Sequence, residues 1–247
     1  MKRFLMKLTL TMCLLMCVLA ASAQLYTAPK HKHGDWYIGL GGGFSQSMAE
    51  NAKASDFIFH QMPSVNFTLG HNFTPSFGLQ ANAGITTQVG RCSEAATKAM
   101  PSVYGNGRYS YKILTASLSG VVNLTNVFFG YIPDRPVTFG LTFGAGAIKT
   151  FGFDDKLALW NRTPNTTSPY YPVKKDGGQY IVGHAGAQMA IRLNEPWDIL
   201  VDLRANATDN EYNGASDGNT IDFYLDLMVN FVYHFKNGKQ QLRRFHD

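Results

Sequence analysis

From Thr220 to Phe235 the chain reads TIDFYLDLMVNFVYHF, and every odd position from Ile221 to Phe235 is apolar or aromatic. Asp222, Tyr224, Asp226, Asn230 and His234 fall on even positions. Successive side chains of a strand point to opposite faces, so a period of two marks one strand with an apolar face and a polar face. The run extends over about fifteen residues, where strands of globular proteins have a mode of about five or six. Such a strand either belongs to a soluble barrel with its apolar face inward or crosses a bilayer with that face outward.

Seven earlier segments alternate in the same way. The apolar parity holds Trp36, Ile38, Leu40 and Phe44 in the first, Val65, Phe67 and Leu69 in the second, and Phe77, Leu79, Ala81, Ala83 and Ile85 in the third. It holds Leu114, Ala116 and Leu118 in the fourth, Val137, Phe139, Leu141 and Phe143 in the fifth, Ile181, Ala185, Ala187, Met189 and Ile191 in the sixth, and Ile199, Val201, Leu203 and Ala205 in the seventh. The links alternate too. Residues 45–62, 88–109, 151–178 and 209–219 form longer polar links, whereas NFTPS and NEPW are tight turns and TNVFFGYIPDRPV is intermediate, its prolines marking a strand boundary. Short turns at one rim, longer loops at the other, an even strand number and aromatics near the interfaces are the pattern of outer-membrane barrels. Trp197, Tyr233, Phe235, Phe73 and Phe77 all fall at the short-turn end.

The N-terminus agrees with that direction. Lys2, Arg3 and Lys7 precede an apolar run from Leu8 to Leu19, and Ala21-Ser22-Ala23 supplies small residues before Gln24, so residues 1–23 are read as a secretory signal. That run is too short to cross a bilayer as a helix, and no later segment approaches about eighteen uninterrupted apolar residues, so insertion must use strands. Cys13 and Cys17 follow Met12 and Met16, which no lipobox would tolerate. Removing the signal takes three of 22 basic residues and none of 17 acidic ones, lowering the net charge from +5 to +2. This leaves no electrostatic footprint for nucleic acid. Cys92 is then the single cysteine, which excludes an internal disulfide.

The expected fold is therefore all-β: an eight-stranded antiparallel up-and-down transmembrane β-barrel with a side-chain-filled lumen. Its expected divisions are a signal peptide at 1–23, a short N-terminal segment at 24–34, the barrel at 35–235 and a short basic periplasmic tail at 236–247.

Three stretches, NLTNVFFGYIPDRPVTFGLTFGAGAIKTFG, DLRANATDNEYNG and the closing FVYHF, resemble the N-terminal barrel of outer-membrane protein A-type proteins. The resemblance runs from about Trp36 to Phe235 and implies a structural and surface-interaction role with no catalytic residues. Many such proteins continue into a peptidoglycan-binding domain, whereas only residues 236–247 follow Phe235 here. The expected location is the outer membrane of a Gram-negative bacterium. Expected partners are outer-membrane lipids, the barrel-assembly machinery, for which Phe235 is the terminal assembly-signal aromatic, and a surface ligand at the long loops. A monomer without cofactor or metal is expected.

Candidate chemistry is sparse. His31 and His33 in HKHG have a spacing that can hold a metal from a flexible tail, but two imidazoles alone make a poor site, and an exposed polar segment is the plainer reading. Gly39, Gly41 and Gly43 share one face of the first strand and have no following helix, so they leave lumen volume for larger side chains rather than cradle phosphate. His184, Asp202 and Ser117 share the inner face but lie on non-sequential strands without a nucleophile's setting, which speaks against a hydrolase triad. The inner charges Arg192, Asp198, Asp202, Arg204, Asp222 and Asp226 are read as a structural cluster plugging a barrel just wide enough for side chains. The turn at Asn194 sets Arg192 opposite Asp198 and Gln188 opposite Asp202, and Arg204 is placed diagonal to Asp222 and Asp226. Trp160, Tyr170, Tyr171 and Tyr212 are the candidate contacts of the long loops. The alternatives to a structural role are a small pore and a lipid-modifying enzyme.

Overall fold

The structure, a computed structural model, describes residues 35–48, 62–91, 108–132, 135–153, 177–194, 196–214 and 221–235. Eight strands follow one another: β1 Asp35–Ser47, β2 Met62–Asn72, β3 Phe77–Arg91, β4 Arg108–Asn123, β5 Val137–Phe151, β6 Gln179–Asn194, β7 Trp197–Asp209 and β8 Ile221–His234. Each pairs antiparallel with its sequence neighbour, and β8 pairs with β1 to close the barrel. Closure leaves no free sheet edge around the middle of the barrel, so the backbone groups there pair with neighbouring strands on both sides, as a bilayer interior demands.

The register fixes the geometry. A path of paired residues from Tyr37 runs through Gly70, Gln80, Ser119, Gly144, His184, Asn206 and Tyr224 and returns to β1 at Ser47, ten residues further along. With ordinary strand rise and spacing, a stagger of that size over eight strands tilts them by about 40°. The interior of such a barrel is filled by side chains.

Alternation resolves with the apolar face outward. On β8, Phe223, Leu227, Val229 and Phe231 are exposed while Asp222, Tyr224 and Asn230 are buried. The same holds around the barrel, with Leu40, Val65, Leu114, Phe139, Ile181 and Leu203 outside and Thr68, Gln80, Gln88, Thr142 and Asn206 inside. A soluble protein rarely exposes a contiguous apolar patch above a few hundred Å², and here the band encircles the molecule. Lipid is the surrounding in which this distribution is stable.

The two rims differ as the links do. At the short-turn rim, Thr74 Oγ1 accepts from Phe77 N (3.0 Å), tightening the turn between β2 and β3. An aromatic girdle surrounds this rim: Trp197 lies 5.0 Å from Tyr233, Tyr233 lies 5.4 Å from Phe235, and Trp36 lies 4.5 Å from His71, centroid to centroid. The β4–β5 link, which alternation could describe only as intermediate, begins with a short helix, α1 Leu124–Phe129. Among the described residues no helix is long and apolar enough to cross a membrane.

Candidate functional site in the barrel lumen

The lumen divides into three zones. Nearest the long-loop rim, Tyr109, Tyr111, Ile113, Ile148, Phe153, Val182, Tyr212 and Tyr224 form a buried apolar cluster. Tyr111 stacks on Phe153 at 5.2 Å and meets Tyr212 edge-on at 6.1 Å. Tyr212 arrives from outside the strands, on a 3-10 turn, Asn210–Asn213, that folds back over the opening. Three strands hold the turn: Tyr109 Oη of β4 donates to Asn213 O (2.9 Å), Tyr180 Oη of β6 donates to Glu211 O (2.9 Å), and Ser47 Oγ of β1 pairs with Tyr212 Oη (2.8 Å). Burial, with Tyr111 alongside, holds the pKa of the Tyr212 hydroxyl well above its ordinary value, so it remains a neutral hydrogen-bonding group.

The middle zone is polar. Gln188 Nε2 on β6 donates across the lumen to Gln80 Oε1 on β3 (3.2 Å), and Tyr37 Oη donates to the same oxygen (3.2 Å). Gln80 Nε2 and Thr68 Oγ1 both donate to Asn82 Oδ1 (2.8 and 3.1 Å), and Asn66 Nδ2 bridges Thr68 Oγ1 and Asn230 Oδ1 (3.0 and 3.2 Å). Amides and hydroxyls can satisfy one another in this way without carrying charge into the interior. Beside this network, Arg204 pairs with Asp202 and Asn206 Nδ2 donates to Asp226 Oδ2 (2.9 Å). Asp202, Arg204 and Asp226 also border a void of about 30 Å³, enough space for a water molecule.

Glycines let this filling fit. Tyr37 lies across Gly70, where an added Cβ would come within 2.0 Å of the ring, and Tyr109 lies across Gly90 in the same manner (2.3 Å). Ser119 Oγ on β4 pairs with His184 Nε2 on β6 (2.7 Å), across Gly144 of the intervening strand. A Cβ on Gly144 would approach Leu118 O to 2.1 Å and His184 Nε2 to 2.7 Å.

The third zone, at the short-turn end, is open. Tyr37, Leu200 and Val232 make a small buried cluster beside a cavity of about 140 Å³ that reaches Gln188 inward and Asn72, Asn123, Asp198 and His234 toward the mouth. The Asp198 carboxylate accepts from His234 Nε2 (3.0 Å), both side chains partly exposed.

The six inner charges do not form one cluster. Arg192 is opposite Asp198 and Gln188 opposite Asp202 in the ladder. Arg204 stands directly opposite Asp226 rather than diagonal to it, because Thr208 pairs with Asp222 and Asn206 with Tyr224. Asp222 therefore lies four residues nearer the rim, where Asn213 Nδ2 donates to it (3.4 Å), and is not part of the Arg204 group. The charges divide into Asp202, Arg204 and Asp226 in the middle, Arg192 and Asp198 with His234 at the short-turn end, and Asp222 beneath the rim. Ser119, one inner position from Ser117, is the partner of His184, and both are buried. Tyr212, expected among the loop contacts, is instead wholly buried, because its turn folds back into the barrel mouth. Trp160, Tyr170 and Tyr171 lie outside the described residues, as do His31 and His33. Phe235 lies just past β8 with its ring exposed, its N donating to Trp36 O (2.8 Å). Among the described residues no group of three or more His, Cys, Asp or Glu is placed to hold a metal.

No protein-family model matches the sequence, and no curated protein matches it. Solved structures do. Neisserial surface protein A aligns at 9% identity over 83% of this chain and 100% of its own, with a TM-score of 0.50. A major outer-membrane protein from Thermus thermophilus aligns at 11% identity over 83% of this chain and 100% of its own, also at 0.50. With this closed order of eight antiparallel strands, the chain shares the fold of outer-membrane β-barrels.

Proposed function

We propose that this protein is an integral outer-membrane barrel with a structural, membrane-stabilising role, whose long loops are available for contact with a surface ligand, in the manner of outer-membrane protein A-type barrels. The observation that carries the reading is the inversion of polarity: a band of apolar side chains outside and hydrogen bonds that span the lumen inside, Gln188 to Gln80 foremost. A bilayer surrounds the first, and the second, with the Tyr212 turn above it, obstructs conduction. The Ser119–His184 pair has no open face toward a lipid or peptide substrate, which favours a non-enzymatic role. On this reading a monomer is delivered by the signal at 1–23, cut after Ala23, and assembled through Phe235, and Trp160, Tyr170 and Tyr171 are the loop side chains offered to a partner.

Reconstitution in planar bilayers tests this reading. Protein that inserts with its strands protected from protease should give no steady single-channel conductance. A steady conductance, or loss of lipid A acyl chains on expression, would replace the structural role by a pore or an enzyme.

A further inference from the structure

We propose that the link from Leu124 to Ile132 is a membrane-interface anchor, its apolar side lying among the headgroups of the leaflet at the short-turn rim. The inference rests on the transmembrane reading above and adds a lipid contact outside the strands.

Helix α1 is amphipathic in the reverse of the usual sense. Its polar side chains face the protein: Phe139 N donates to Thr125 Oγ1 (2.8 Å), and Asn126 Nδ2 donates to Pro75 O in the β2–β3 turn (2.7 Å). The first turn is capped by Asn123 Oδ1, which accepts from Asn126 N (3.0 Å). Contacts to two separate parts of the barrel therefore set how the helix is rotated. That rotation turns Phe128 and Phe129 away from the protein, at 72% and 76% exposure. The helix stops at Gly130, whose φ of 73° is open to glycine at little steric cost, and Ile132 just beyond is again exposed.

In water, this arrangement would hide hydrogen-bonding groups and display phenylalanines. In lipid it is the favourable one, because an interfacial helix buries its apolar face at the boundary of headgroups and acyl chains. Six residues are too few to cross the bilayer, so their membrane contact is interfacial. The surface is continuous with the barrel's apolar band through Phe139, whose exposed ring stands on the residue that holds Thr125, and it lies at the rim of the Trp197, Tyr233 and Phe235 girdle. Lipid, rather than a soluble partner, is therefore the occupant that the neighbouring surface already requires.

Tryptophan quenching by brominated phosphatidylcholine tests the proposal, using the full chain in vesicles with Trp36, Trp160 and Trp197 replaced by Phe. Phe129→Trp should be quenched several-fold more by bromines placed high on the acyl chain than by bromines near its end, and should resist aqueous iodide. Leu203→Trp, at mid-strand on the outer face, serves as the control and should respond most to the deep bromines. If Phe128→Trp and Phe129→Trp are quenched by iodide alone while Leu203→Trp responds to bromines, the anchor is refuted and the transmembrane reading stands. If the two variants escape both quenchers while the control responds, a second copy or another protein covers the link and the proposal fails. If Leu203→Trp also escapes the bromines, both readings fall. Phe128→Trp gives the same reading should Phe129→Trp not fold.

Discussion

The two ends of the lumen are built from the same eight strands, yet one is sealed and the other open. Beneath the long-loop rim, tyrosines from β4, β8 and the Asn210–Asn213 turn pack into a buried layer. At the short-turn end the cluster shrinks to Tyr37, Leu200 and Val232 beside a cavity of about 140 Å³. Strand number sets the width of a barrel, but side-chain filling decides whether it conducts. The difference also separates two kinds of charge: Asp202 and Arg204 are paired in a buried setting, whereas Asp198 and His234 are paired where both side chains are partly exposed.

The contrast is broken most severely at the sealed end. Tyr111→Ala should cost about 4 kcal/mol in denaturant unfolding from vesicles, because it removes a fully buried ring against Phe153 and Tyr212 and leaves Gln88 Oε1 without its donor. In the middle, Arg204→Ala should cost about 3 kcal/mol by leaving Asp202 buried without its cation, and combining it with Asp226→Ala should cost less than the sum of the single changes. A strictly additive cycle would show that Arg204 and Asp226 do not interact across the ladder. Leu200→Ala at the open end should cost about 2 kcal/mol, since its surroundings can relax into the cavity. Gly144→Ala should cost about 2 kcal/mol, because the added Cβ would press first on the Leu118 carbonyl oxygen of the neighbouring strand and then on His184 beside Ser119. Asp198→Asn should change stability by less than about 1 kcal/mol, its partner being partly solvated. If Asp198→Asn proved as damaging as Arg204→Ala, the short-turn end would have to be as enclosed as the middle.

These effects follow from features of unequal visibility in the sequence. Alternation revealed the strands and which face is apolar, because a period of two survives any context with one face in lipid and one in a packed interior. The β6–β7 register was legible because so short a turn leaves little freedom in pairing: Arg192 meets Asp198 and Gln188 meets Asp202. The β7–β8 register was not, since the longer link leaves the pairing free, and Arg204 stands opposite Asp226 instead of diagonal to it. Tyr212 looked like a loop aromatic because composition cannot tell a turn that reaches outward from one that folds back. The Ser119–His184 pair spans two strand neighbours across Gly144, a proximity that no single hairpin encodes. Helix α1 was hidden for another reason: its exposed phenylalanines and tethered Thr125 and Asn126 match neither a strand period nor a soluble helix stripe.

The inversion of polarity is tested most directly by nitroxide labels placed one at a time at residues 225, 227 and 229 of β8 in lipid vesicles. Apolar faces toward lipid predict relaxation by oxygen and shielding from a water-soluble paramagnetic reagent at all three. The reverse pattern, shielding from oxygen and access to the polar reagent, would place these residues against water and contradict the membrane-spanning arrangement.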